Sequence, residues 1–205
     1  MRRIVAVLWS LPGLVASWRG VGTPFSTRQS ADAASHGVVG VQLPEARELE
    51  TRKRLFQLYP DAREMRPHEE IEVAIEGIAA ILHGGDFDLA GVTLDMTDIP
   101  AFNQRVYQYA RTIPRGETRT YEEVAGHLRA SGAVYSVAQA TSRNPFMIIV
   151  PCHRVLEAGN YTDRISPHGG VISKRRLLSI EGAHATASKT LFDVLLSVAP
   201  VRPHP

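Results

Sequence analysis

The sequence predicts an α+β protein, a small N-terminal α/β supporting unit followed by a mainly helical C-terminal unit. Three observations carry this. Apolar residues alternate at Val39, Val41 and Leu43 and again at Val92, Leu94 and Met96, the period of half-buried strands. Between them Ile71, Ile75, Ile78 and Leu82 recur at helical spacing, and beyond Pro100 helical patterns dominate. Charge divides at the same place: residues 1–100 carry 10 Lys and Arg against 14 Asp and Glu, net −4, whereas residues 101–205 carry 13 against 7, net +6.

A chain of 205 residues suits one domain or two small ones. With 44% hydrophobic and 21% charged residues it reads as soluble and globular, which excludes a fibrous or disordered chain. Its single cysteine excludes an internal disulfide framework and fits a reducing compartment. A basic half suits a polyanionic partner, although charge alone does not exclude an inconsequential surface. The expected units are an extension over residues 1–22, a supporting domain over 23–98, a second domain over 99–183 and a tail over 184–205.

Taken in order, Arg2-Arg3 followed by an apolar run to Leu11 looks like a short signal peptide, yet it is too short and interrupted for a membrane span. A secreted protein relying on one thiol would be odd, so an extension or an upstream start is preferred. Residues 23–36 read as loop. Pro44 stops the first strand, and residues 46–59 form a helix with Leu49 and Phe56 on one face. Residues 68–83 form the clearest amphipathic helix, with Glu69, Glu70, Glu72 and Glu76 on its solvated face and Gly84-Gly85 closing it.

The next helix starts at Pro100 and presents Phe102, Val106, Tyr109 and Ile113. Thr120 and Glu123 have capping-box spacing for a helix over residues 121–128. Ser131-Gly132 turns the chain into a helix over 134–143, so the pair is a helix-turn-helix candidate, a weak signal alone. Residues 157–170 read as loop, and a last helix over 171–181 turns Ile172, Leu177 and Ile180 inward before Gly182. Glu181 stands in its last turn, where the helix dipole disfavours a carboxylate by about a few tenths of a kcal/mol. That placement hints at a task other than helix stability.

The chemistry concentrates in Ile148-Ile149-Val150-Pro151-Cys152-His153-Arg154-Val155. Residues 147–150 read as a short buried strand ended by Pro151, so the thiol is expected where a strand leaves the core. A lone cysteine is ordinarily a small buried hydrophobe. Here the flanking imidazole and guanidinium argue for a thiol with lowered pKa, a nucleophile with His153 or a relay through it as base.

The stretch Ile-Val-Pro-Cys-His-Arg-Val resembles the active-site signature of the O6-alkylguanine-DNA alkyltransferases, the methylated-DNA–protein-cysteine methyltransferases. The resemblance runs from about residue 23 to 183 and is strongest over 102–182. It implies a ribonuclease-H-like supporting domain, a winged-helix-like DNA-binding element and irreversible transfer of an alkyl group from O6-alkylguanine, or O4-alkylthymine, to Cys152. It implies no metal and no cofactor, and a monomer acting on alkylated double-stranded DNA away from membranes, in cytoplasm or nucleus. His153 matches the relay histidine, Glu181 the carboxylate that orients it, and Tyr121 the tyrosine that protonates the leaving guanine. The carbonyls of Cys152 and Val155 would read the guanine amino group, Ser166 would lie near the substrate oxygen, and Asn144 would tie the recognition helix to the active-site strand. Arg154 is expected among the substrate or DNA contacts.

Two departures matter. Where the family usually has an arginine that fills the space of the flipped base, this chain has Tyr135, which can stack but not carry charge. Where it usually has two small residues and an aromatic before the serine, this chain has Asp163-Arg164-Ile165 before Ser166. They motivate a second reading, a protein that binds alkylated DNA with weak or no transfer. A third is a cysteine hydrolase using Cys152 and His153.

Overall fold

The structure, a computed structural model, describes residues 4–7, 37–42, 48–60, 69–158 and 170–183. The loop at 23–36, Ser166 with residues 163–165 before it, and the C-terminal tail lie outside the described residues. The fold is α+β. Strands β1 (Ile4–Val7) and β2 (Val38–Gln42) pair in parallel. Helices α1 (Glu48–Leu58) and α2 (Glu69–Leu82) follow, then α3 (Ala101–Ala110). The two-residue strand β3 (Arg119–Thr120) leads into α4 (Tyr121–His127), a 3₁₀ turn at Ser131–Ala133 and α5 (Val134–Ser142). Strand β4 (Val155–Leu156) pairs in parallel with β3, and α6 (Gly170–Ile180) closes the described chain. Among the described residues no helix is long and apolar enough to cross a membrane.

Several elements differ from the sequence reading, each for a local reason. Residues 4–7, read as part of an extension, are a strand of the sheet. In β2 the buried valines are Val38 and Val41, with Val39 only half-buried. The strand is covered on both faces, and a Cβ at Gly40 would collide with the Tyr59 hydroxyl, so strict alternation is lost. In α1 the inward residues are Thr51 and Leu55, while Leu49 is 76% exposed and Phe56 42% exposed. Tyr59, whose hydroxyl donates to the Val39 carbonyl just after α1, helps fix that rotation. In α2 the buried band is Ile71, Ala74, Ile78 and Ile81, with Ile75 and Leu82 at its border. The four glutamates do face solvent.

The expected strand at Val92, Leu94 and Met96 reduces to one bridge, Val38 with Leu94. There Val38 exchanges backbone hydrogen bonds with Thr93 and Asp95, and before it the ladder stops because Arg111 donates to the carbonyls of Leu89, Ala90 and Val92. Asp95 then accepts from the Thr97 backbone and hydroxyl, which turns the chain away. Residues 147–150 are buried as expected but form a turn, not a strand. Val150 N–H donates to the Phe146 carbonyl at 2.8 Å, and Ile148 has φ +72°. A β-branched residue in that region is strained by about 1–3 kcal/mol and persists only where its surroundings hold it. Here complete burial of residues 146–150 does so.

Two apolar cores result. One joins α3, α4 and α5 through Val106, Tyr107, Val124 and Val137, and takes in Phe146, Val150, Cys152 and Val155. The other joins β2 and α2 with Met147, Ile148, Ile149 and Leu177. The octet thus crosses from one core to the other between Ile149 and Val150. Tyr107, which the helical stripe did not single out, is fully buried, meets Phe146 edge to face, and donates its hydroxyl to the Ala140 carbonyl at 3.0 Å. Tyr107→Phe is expected to lower stability by about 0.5–1.5 kcal/mol, the net worth of one hydrogen bond. A fall of a few degrees in thermal midpoint would show it, and an unchanged midpoint would assign that bond no weight.

Candidate active site

The capping box forms as the spacing requires: Glu123 N–H donates to Thr120 Oγ1 at 3.1 Å, and Thr120 N–H donates to the Glu123 carboxylate. Because Thr120 also pairs with Leu156 across the β3–β4 ladder, the cap holds the start of α4 against the chain leaving Cys152. Tyr121, the first residue of α4, is buried there. Pro151 precedes a 3₁₀ turn at Cys152–Arg154, where the Val155 N–H donates to the Cys152 carbonyl.

Asn144 links the end of α5 to this turn. Its amide donates to the Val150 carbonyl at 2.9 Å and its carbonyl oxygen accepts the Phe146 N–H at 2.9 Å. It is 1% exposed, a buried bridge from the end of α5 to the turn before Cys152. Glu181 follows α6, where Gly182 turns left-handed at φ +70° and the Gly182 and Ala183 N–H groups close the helix end on the carbonyls of Ser179 and Leu178. A left-handed turn favours glycine. It leaves the Glu181 side chain aimed inward, only 1% exposed.

Glu181 Oε1 accepts from His153 Nε2 at 2.9 Å. Arg154 forks onto the same carboxylate, Nε to Oε2 at 2.9 Å and a terminal nitrogen to Oε1 at 2.8 Å. Its third arm reaches the Ile113 carbonyl. Arg154, expected from sequence among the substrate or DNA contacts, thus commits its guanidinium to a buried carboxylate and the Ile113 carbonyl. Burial acts upward on the Glu181 carboxyl, yet hydrogen bonds from His153 and Arg154 overcome it and hold the pKa down at about 2. Burial lowers the His153 pKa, opposed by Glu181 and helped by Arg154 and Lys174. An ionised carboxylate only accepts, so Nε2 carries the hydrogen, and neutral His153 keeps its lone pair on Nδ1, the form of a base.

Cys152 is 3% exposed and a free thiol. Burial pushes its pKa up to about 12, with the Lys174 ammonium and a hydrogen bond to Asn144 pulling the other way. The expected lowering by flanking cations does not occur, since Arg154 is committed to Glu181 and His153 is neutral. The resting group is a thiol that needs a base at the moment of reaction.

Lys174 was missed by the sequence reading. It is 4% exposed, its ammonium donates to the Val155 carbonyl at 2.7 Å and lies 5.8 Å from the centre of the Tyr121 ring. The signal was present, because Lys174 stands three and four residues before Leu177 and Leu178, both buried. Tyr135 is 75% exposed at the start of α5, so it does not pack inside the two-helix hairpin. Val155 is fully buried, and Ser166 lies outside the described residues. Among the described residues no group of His, Cys, Asp and Glu could hold a metal ion.

A family model described as 6-O-methylguanine DNA methyltransferase, DNA binding domain, matches residues 101–183. A methylated-DNA–protein-cysteine methyltransferase of Mycolicibacterium paratuberculosis is 39% identical over 123 residues, covering 58% of this chain and 70% of that protein. One from Mycobacterium tuberculosis is 46% identical over 93 residues, covering 45% of this chain and 54% of its own length. The chain spans about half the length of several such curated relatives. The crystal structure of an O6-methylguanine-DNA methyltransferase from Pyrococcus kodakaraensis has a TM-score of 0.51 at 26% identity, covering 67% of this chain and 82% of that one. One from Methanococcus jannaschii, 21% identical with a TM-score of 0.52, shares the fold over 81% of this chain and 93% of that one.

The buried charges make stability pH-dependent with a definite sign. Glu181 is depressed from 4.5 to about 2, so its contribution is present above 4.5 and lost as pH falls toward 2. His153, also lowered, adds a loss that begins as pH drops below 6.5. Stability measured in denaturant is expected to fall steadily across that acid range, with the loss below pH 4.5 reduced in Glu181→Gln. A wild-type curve flat down to pH 3 would contradict the buried pair.

Proposed function

Because this chain belongs to the 6-O-methylguanine DNA methyltransferase family, we propose that it repairs alkylated duplex DNA by taking one alkyl group from O6 of guanine onto its own Cys152. The observation that carries this reading is the buried His153–Glu181 hydrogen bond beside the chain's single thiol. In the step, the sulfur bonds the alkyl carbon as the carbon–O6 bond breaks. The thiol proton passes through a water to His153, and Glu181 holds the imidazole in the tautomer that can accept it. The electron pair of the broken bond stays on guanine, which takes a proton from Tyr121. The imidazolium then gives its extra proton through solvent to the Tyr121 phenolate, restoring the phenol, so the balance closes without an added reagent. The thioether is stable, so each chain reacts once.

Residues 99–183 carry the reaction, and residues 23–98 act as a supporting domain. The hairpin α4–α5 serves as a helix-turn-helix that meets the minor groove, and the target base is flipped out at a cost of about a few kcal/mol. The exposure of Tyr135 supports a wedge that stacks in the vacated space. Asn144 keeps α5 in register with Cys152; the carbonyls of Cys152 and Val155, which already accept the Val155 N–H and the Lys174 ammonium, offer their second lone pairs to the guanine amino group, and Ser166 lies near the substrate oxygen.

Incubation with duplex carrying O6-methylguanine tests the proposal by intact mass. One methyl group per chain is expected for wild type and none for Cys152→Ala, which still binds duplex; no adduct on wild type would refute transfer. Glu181→Gln is expected to slow transfer by roughly 100- to 10,000-fold, the range for lost acid–base assistance. For Tyr135→Ala, stacking worth about 1–3 kcal/mol should be lost on duplex and nothing on free alkylated base. An equal loss on both substrates would discard the wedge.

A further inference from the structure

We propose that Arg154 is a positioning residue of the proton relay, pinning both oxygens of Glu181 so that the carboxylate orients His153 without taking its proton. The inference rests on the transfer reading given above. Its basis is geometric. Arg154 reaches Oε2 through Nε and Oε1 through a terminal nitrogen, and Oε1 is shared with His153 Nε2. The remaining arm is anchored on the Ile113 carbonyl just beyond α3, so the guanidinium plane is held from the far side. Side-chain exposures of 14% for Arg154, 5% for His153 and 1% for Glu181 exclude most water from the set.

Two-point donation from a guanidinium fixes a carboxylate in plane and keeps it ionised. When the thiol proton arrives at Nδ1 of His153, the imidazolium is stabilised, but both carboxylate oxygens are already occupied. The proton therefore stays on the ring and leaves by Nδ1. The other charges around Glu181 do not duplicate this role. Arg115, from the turn after α3, holds the neighbouring Ile180 carbonyl at 3.1 Å and pairs with Asp86 at 3.6 Å. Lys174, on α6 itself, acts on His153 and Cys152.

Without Arg154, Oε2 loses the Nε donor in a buried site. Glu181 then protonates at higher pH, and His153 loses the acceptor that sets its tautomer. A residue contacting DNA would behave differently, because its loss would weaken duplex affinity and spare a free base.

The test is single-turnover transfer from duplex O6-methylguanine and from free O6-benzylguanine, whose benzylic carbon is reactive in displacement, from acid to neutral pH. Arg154→Met and Arg154→Lys are compared with Arg115→Gln, which loosens the same helix end without touching the carboxylate. For the Arg154 variants the rate is expected to fall on both substrates together, by roughly 10- to 100-fold for Met as expected of a misplaced base, and by less for Lys. The acid limb of the pH profile is expected to move upward, with duplex affinity unchanged. Arg115→Gln should lower the thermal midpoint and leave the pH profile in place. A wild-type rate and profile on the free base, or a loss confined to duplex, would overturn the proposal. If Arg154→Met does not fold, the carbon-13 resonance of the Glu181 carboxyl in Arg154→Lys decides: its midpoint is expected above that of wild type, and an unmoved midpoint overturns the role. Wild-type protein unreactive toward both substrates would defeat the transfer reading instead, while the carboxyl titration would still report on Arg154.

Discussion

A hydrogen bond of 2.9 Å between His153 and Glu181, residues 28 positions apart, is the constraint on which the site depends. It requires α6 to stop at Ile180 and Gly182 to turn left-handed, so that a carboxylate faces the interior. It requires the 3₁₀ turn at Cys152–Arg154 to present imidazole and guanidinium to one acceptor. A buried carboxylate is costly unless fully satisfied. Three donors from two consecutive residues supply that satisfaction, and the anion in turn decides which nitrogen of His153 is free to act as base.

The rest of the fold brings the thiol to that pair. Residues 147–149 belong to the core of β2 and α2, while Phe146, Val150 and Cys152 belong to the core of α3, α4 and α5. The turn before the cysteine is therefore held from both sides, which is how Ile148 is kept in a strained conformation. Asn144 adds a polar tie at the same point, and Lys174 reaches the carbonyl just beyond it. The outcome is a precisely placed thiol that burial keeps protonated.

Much of this was legible in the sequence, and the failures have physical causes. The capping box at Thr120 and Glu123, the closure of α2 and the helix over residues 134–142 follow from local chemistry, and local chemistry is what spacing records. The octet could be picked out because it sets the lone cysteine beside an imidazole and a guanidinium, and Glu181 because a carboxylate at a helix C-terminus contradicts the helix dipole. Faces were less secure. Leu49 and Phe56 share one side of α1, yet Leu55 and Tyr59 set its rotation through contacts distant in sequence. The alternation at Val92 and Leu94 suggested a strand, but its ladder is confined to Val38, which bonds Thr93 and Asp95, because Arg111 takes the Val92 carbonyl and Asp95 turns the chain. The thiol pKa was misjudged because adjacency in sequence says nothing of where a guanidinium points, and Arg154 is bonded to Glu181. Lys174 is not legible from its residue type, because a lysine is ordinarily solvated and this one is buried.

The central claim is that Cys152 rests as an inert thiol and becomes a nucleophile only through the His153–Glu181 relay. Having one cysteine makes this directly measurable, by following thiolate absorbance of the free protein against pH. With burial pushing the group up to about 12, no thiolate is expected through the neutral range, and its appearance should come only in strong alkali. A thiolate titrating below the ordinary cysteine value would contradict the claim and point to direct activation by neighbouring cations.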